Sequence, residues 1–256
     1  MGGMLPLNTS REEPDVPVAV LPVGSHEQHG PFLPLATDTI IACTIAREVA
    51  ACHPVRLLPP VTISCSHEHA DWPGTVSISA VTLAAVVTDV AGSLRRAGVP
   101  RLVLVNGHGG NYVLGNVVQE AGGSMALFPG PGDWDAARDA AGIETTADGD
   151  MHAGELETSI LLHARPEVVR DGYAGADHLA DDRRHLLTVG MGPYTRSGVV
   201  GRPSLASAGK GRDVLASLVG SFGDCLAVLQ QQGRGAGEAR DEGEHPVHDG
   251  DGQALR

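Results

Sequence analysis

Lysine is almost missing from this 256-residue chain, which has one, Lys210, in the stretch AGKGR. No Ser or Thr follows it, as a phosphate-binding P-loop requires, and any Schiff-base chemistry would have to run through that one residue. Aromatic residues make up only 3% of the chain, too few for a platform that stacks single-stranded bases. Positive charge is scarce as well. Eighteen Lys and Arg against 31 Asp and Glu leave a formal net charge of −13, which argues against nucleic acid or an anionic membrane as a partner. Cys43, Cys52, Cys65 and Cys225 form no CxxC pair and no framework spacing. They read as free thiols of a reducing compartment, so a cytoplasmic location is expected. No run comes near the roughly 18 uninterrupted apolar residues of a membrane helix. MGGMLPLNTSREEP lacks the basic start and apolar core of a secretory signal.

What is present is enough for a real core: 42% of residues are hydrophobic and 19% charged, the balance of a folded chain. Residues 1–16 are polar and Pro-containing and are expected to form a flexible N-terminal arm. From 233 to 256 the sequence GRGAGEARDEGEHPVHDGDGQALR reads as a disordered acidic tail carrying His245 and His248. Residues 17–232 remain as one folded domain. There, short apolar runs alternate with helical spacing. VPVAVLPV (16–23), VRLLPPV (55–61), RLVLV (101–105) and SMALF (124–128) predict strands. TDTIIACTIAREVAAC, with Thr37 or Asp38 as its N-cap, residues 79–98 ending at Gly98, residues 111–122 and residues 150–164 predict helices. The alternation implies α/β architecture, a mainly parallel sheet covered on both faces.

In such sheets ligands bind beyond the carboxyl ends of the strands, and polar clusters follow two of them. After the first comes SHEQHGPFLPLATD, in which Glu27 and His29 are two apart, a spacing that points both side chains one way in an extended segment. Pro31 and Pro34 turn the chain towards Asp38, which is either a ligand or simply a helix cap. His26 reads as a loop residue. After the third strand comes NGHGGN, where glycines present His108 to a cleft; a phosphate-cradling turn and a purely structural turn stay open as alternatives. A third group, HAGELETS, contains His152, Glu155 and Glu157. Glu155 has a bland explanation in the helix dipole, whereas Glu157 lies among Leu156, Ile160 and Leu161, where an unpaired carboxylate is costly. His67 and His69, in CSHEHADWPGT, read as pocket lining or plain loop. Glu27, His29, Asp38, His108 and Glu157 make a mixed N/O donor set suited to zinc, manganese or iron. Five donors suit a pair of ions sharing one carboxylate, the arrangement of a two-metal hydrolase.

PVGSHEQHGPFLPLATD, VNGHGGN, HAGELETS and SGVVGRPSLASAGKGR resemble, in order, the motifs of the creatininase (creatinine amidohydrolase) family, over about residues 16–230. The resemblance implies a three-layer α/β/α fold, two divalent metal ions per subunit, hydrolysis of an amide C–N bond and a homo-oligomer, in many members a hexamer. By motif, Glu27, Asp38 and His108 match the ligands of one metal. His29, Asp38 and Glu157 match those of the other, so Asp38 would be the bridge. His152 matches a catalytic histidine that stabilises the intermediate or passes a proton to the leaving nitrogen, and Ser77 falls near a substrate-contacting position. Creatinine-hydrolysing members carry a Tyr and a liganding Glu where this chain has Gly109 and Gly110, and a Trp where it has Asp148; Gly109 and Asp148 therefore become candidate substrate-binding positions. The glycine version resembles other branches, including the peptidase branch acting on the mycofactocin precursor peptide. The expectation is an amidohydrolase acting on a small amide or peptide, in its most specific form a mycofactocin-type precursor peptide peptidase or a related biosynthetic amide hydrolase. Creatinine hydrolysis is the alternative, and a non-catalytic metal- or ligand-binding homologue is the reading from another class.

Overall fold

The structure, a computed structural model, describes residues 5–238, with side chains through residue 231. Four strands form its sheet: β1 (Val18–Val23), β2 (Arg56–Leu57), β3 (Arg101–Asn106) and β4 (Met125–Phe128). Their order is β2-β1-β3-β4 and all are parallel. Helices α1 (Thr37–Cys52), α2 (Ala80–Arg96), α3 (Val113–Glu120), α4 (Pro131–Ala141), α5 (Glu155–Ala164), the short α6 (Leu186–Val189) and α7 (Ala208–Glu238) complete the secondary structure with several 3₁₀ turns.

Side chains alternate across a strand, and that period divides the core. Val18, Val20, Val103 and Val105 face one layer with Ile41, Ile45, Leu161, Leu218 and Phe222, from α1, α5 and α7. Ala19, Leu21, Leu102 and Leu104 face the other, with Leu83, Val87 and Leu114 from α2 and α3. The result is the three-layer α/β/α arrangement. The helix α7 includes a segment, Ala208–Gln231, long and apolar enough to cross a bilayer by length and composition. Its apolar stripe instead faces the core, where Val214, Leu218 and Phe222 are fully buried against α4, α5 and the sheet.

Several elements differ from the sequence expectation. The strand expected over 55–61 shrinks to two residues because Pro59 and Pro60 offer no N–H to a ladder, and Val61 returns only as an isolated bridge to Val23. Neither Thr37 nor Asp38 caps α1: the N-cap position is Ala36, with no side-chain cap. Thr37 Oγ1 donates to Pro34 O at 2.7 Å instead. The helix expected from 150 starts at Glu155, because Asp150 caps it from outside, accepting from Glu155 N at 2.6 Å and Leu156 N at 3.0 Å. His152 is thereby left in extended chain, bridged to Val200. Helix α7 runs to Glu238, past the expected boundary at 233; the remainder of the acidic segment, with His245 and His248, and residues 1–4 of the arm lie outside the described residues.

Candidate metal centre

The site begins with register. Val23 of β1 pairs with Asn106 of β3, so SHEQH and NGHGG leave the sheet side by side. Asp38 reaches them because two glycines let α1 come close. A Cβ at Gly24 would stand 2.3 Å from Thr39 Cα, and one at Gly107 would stand 2.4 Å from Asp38 O. Both contacts are with backbone, so only glycine fits.

Asp38 is 1% exposed and sits at the centre. Its Oδ1 lies 3.0 Å from His29 Nε2 and its Oδ2 3.0 Å from His108 Nδ1, with Ser25 Oγ donating to Oδ2 at 2.6 Å. Glu27 is fully buried, yet neither carboxylate oxygen has an aligned hydrogen-bond donor. Oε1 lies 3.2 Å from His69 Nε2 and Oε2 3.2 Å from His108 Nε2. Glu157 Oε2 lies 3.9 Å from His29 Nε2 and accepts from Ala153 N at 2.7 Å. Ala153 has φ of 50°, a conformation unfavourable for a residue with a Cβ. His152 stacks between two other imidazoles, its ring centroid 4.1 Å from that of His29 and 4.3 Å from that of His69. Its Nε2 donates to the Gln28 carbonyl.

These contacts govern the titration of the metal-free cluster. Burial, then the Asp38 charge, pushes the Glu27 carboxyl up to about 8. Burial likewise raises Glu157 to about 7, against the pull of His29. Burial would lower His29, but Asp38, Glu157 and Glu27 outweigh it and hold it at about 9. His108 rises to about 10 in the same way, chiefly through Glu27 and Asp38. His69 falls to about 3 and His152 well below the ordinary imidazole range, through burial and then their cationic neighbours. Glu27 and Glu157 are thus pushed towards protonation and His29 and His108 towards charge, while those two imidazoles hold Asp38 between them well below the ordinary carboxylate range: a cluster short of positive charge around its outer carboxylates.

Divalent ions fit that deficit. Glu27, Asp38 and His108 bring donor atoms within 4.8 Å of one another, and so do His29, Asp38 and Glu157. The two triads share Asp38 and divide the five expected ligands as the resemblance does. Glu27, His29 and His152 form a further such group. Buried oxygens without a donor, in a set of carboxylates and imidazoles, are what a metal satisfies.

The other expected positions divide. Gly109 lines both a cavity of about 520 Å³ and one of about 320 Å³, and His108, Met151 and Glu157 also line both. Asp148 is exposed on the rim of the larger one. Ser77 lines neither: its Oγ accepts from Ser66 N at 2.8 Å and braces the turn that carries Glu68 and His69. Glu155 lies outside the cluster, fully buried and held by Thr145, the backbone of Glu144 and Lys210 Nζ at 2.6 Å. His69, expected as pocket lining or plain loop, lines the larger cavity and is 1% exposed in the cluster. The available signal was topological: the β2–α2 connection leaves the sheet at the same edge as the other two loops.

Residues 8–226 match the family model for creatininase, described as creatinine amidohydrolase. A mycofactocin precursor peptide peptidase of Mycobacterium ulcerans (strain Agy99) is 39% identical over 240 residues, covering 89% of this chain and 90% of its own. A creatinine amidohydrolase of Pseudomonas putida is 30% identical over 175 residues, covering 59% of this chain and 66% of its own. Among solved structures, one described as "Creatininase Mn" aligns with a TM-score of 0.70 at 25% identity, over 82% of this chain and 89% of the other. With its fold and clustered ligands in place, the chain belongs to the creatininase family of metal-dependent amidohydrolases.

Proposed function

We propose that the chain is a two-ion amidohydrolase that cleaves an amide in a substrate larger than creatinine, of the kind acted on by the mycofactocin precursor peptide peptidases to which it is similar. The observation that carries this is that two cavities share residues of the ligand cluster as lining. Gly109, without a side chain, lies on both, and His108, Met151 and Glu157 line both. The larger is bordered by Asp148, Asp181, Arg183 and Arg184, the smaller by Ile41, Trp134, Leu156 and Ile160. A scissile bond held at the cluster would thus have room for groups on either side, a polar one and an apolar one.

Two divalent ions, zinc, manganese or iron, would be held by Glu27, Asp38 and His108 and by His29, Asp38 and Glu157, supplying a water of lowered pKa and a polarised carbonyl. His152 is the proton carrier. Its Nε2–H is committed to the Gln28 carbonyl, so Nδ1 holds the free lone pair on the cluster side, 3.9 Å from Glu27 Oε1. From there Nδ1 can take up a proton and pass it to the leaving nitrogen. The buried Gln28 carbonyl fixes the tautomer, as an outer partner does for a working histidine.

The second reading, creatinine hydrolysis, rests on the likeness to the Pseudomonas enzyme. Kinetics on metal-loaded protein with creatinine and with peptide amides, side by side, decide between them. Slow creatinine turnover with faster peptide cleavage is expected; creatinine kcat/KM of about 10⁴ M⁻¹s⁻¹ or more refutes the proposal. Four free thiols support a cytoplasmic setting. A homo-oligomer, a hexamer by family resemblance, belongs to the same reading and is checked by light scattering.

A further inference from the structure

We propose that Glu68 is an additional carboxylate donor to the ion of the Glu27–Asp38–His108 triad, and that Gly110 is the gap that admits it. The inference rests on the two-ion reading above and adds a ligand from a loop outside the three motifs that carry the triads.

Glu68 sits in the 3₁₀ turn His67–His69, between the β2 edge and α2. Its Oε1 lies 3.5 Å from His108 Nε2, with the side chain 12% exposed, and His108 is its only ion-pair partner among the described residues. The space it enters belongs to position 110. A Cβ there would stand 2.1 Å from Glu68 Oε1 and 2.4 Å from His108 Nε2. Any side chain at 110 must therefore displace the Glu68 carboxylate.

The backbone of the turn is held in place. Met191 N donates to Glu68 O at 2.8 Å, and Met191 is itself fully buried. Gly190, at φ +69°, lets the two backbones approach: a Cβ on it would stand 3.0 Å from Glu68 O. Ser77 Oγ fixes the preceding residue through Ser66 N. On the facing side, Glu27 presents two buried oxygens that lack a hydrogen-bond donor. Charge gives the reason for a further donor. With Asp38 divided between two ions, Glu27 alone leaves the first divalent ion under-neutralised, and Glu68 supplies the missing negative charge. Oxygen donors of this kind suit manganese, magnesium and zinc alike.

The test titrates metal-stripped full-length protein with Mn²⁺ and with Zn²⁺ against a competing chelator, for the wild type, Glu68→Gln, Gly110→Ala and Glu157→Gln. The wild type should bind two ions. Glu68→Gln and Gly110→Ala should each keep one ion and hold the other at least about tenfold more weakly, the lower end of what even outer metal-site partners contribute. Glu68→Gln is the variant that isolates the carboxylate, because the methyl added by Gly110→Ala meets His108 Nε2 as well as Glu68 Oε1. Glu157→Gln should weaken the other ion, so Glu68→Gln combined with it should weaken both. Two ions bound to Glu68→Gln with wild-type affinity overturn the assignment of Glu68 alone. A wild-type chain that binds no ion overturns the two-ion reading and this one together.

Discussion

Replacing Asp38 with Asn changes one oxygen to nitrogen and leaves the volume of the site unchanged, so its effect isolates charge. In the structure each Asp38 oxygen faces a different imidazole at 3.0 Å, and the residue belongs to both donor triads. At 1% exposure it has no water to replace the lost interaction. Removing one partner of a buried, hydrogen-bonded charge pair costs about 3–5 kcal/mol. At about 1.4 kcal/mol per decade, each ion should bind roughly 10²–10⁴-fold more weakly, and turnover should fall below detection. Glu157→Gln touches only the second triad and is the control: it should weaken one ion and spare the other. Metal content after dialysis against graded chelator, with the near-UV spectrum as a check on folding, measures both. An Asp38→Asn protein that holds two ions at wild-type affinity and keeps full activity would show that the residue is no bridge, and the reading of the site would fail.

His152→Ala should retain both ions while kcat falls by about 10²–10⁴; ion loss matching that of Glu27→Gln would instead move His152 into the coordination shell, as its grouping with Glu27 and His29 allows. Lys210→Met should lower unfolding stability by about 1–3 kcal/mol, measured by urea denaturation, because it strips the cation from the buried Glu155 while leaving the Thr145 and backbone donors. Burial raises the Glu155 carboxyl, but Lys210 and then Thr145 outweigh it and hold it below its ordinary value. Its stabilisation is therefore present above the unfolded carboxyl pKa of about 4.3 and lost as pH falls through the lower folded value; Lys210→Met should shrink that acid dependence, and an unchanged profile would refute the pairing. Gly107→Ala should cost about 1–3 kcal/mol or more and weaken both ions, because the methyl meets Asp38 backbone rather than a movable side chain; full metal affinity in that variant would refute the packing argument.

Layers and ligands were legible in the sequence because both follow from periodicities local to the chain. Alternating residues of RLVLV decide which side chain meets which layer, and short apolar runs between helical spacings require a covered parallel sheet. Glu27 with His29, and His108 between glycines, could be read because each follows a strand at its carboxyl end. Three things were decided only in three dimensions. Asp38 reads in sequence as either a ligand or a helix cap, and becomes the centre of the cluster because Gly24 and Gly107, distant in sequence, allow α1 against the strand ends. His152 reads as helical, and is freed into extended chain because Asp150 caps α5 across the turn. His69 and Glu68 sit in a loop with no periodicity at all, and their place depends on Met191 and Gly190, more than 100 residues later. Sequence determines what lies within one element's reach; which distant backbones touch is a property of the folded core, and this site is assembled from such contacts.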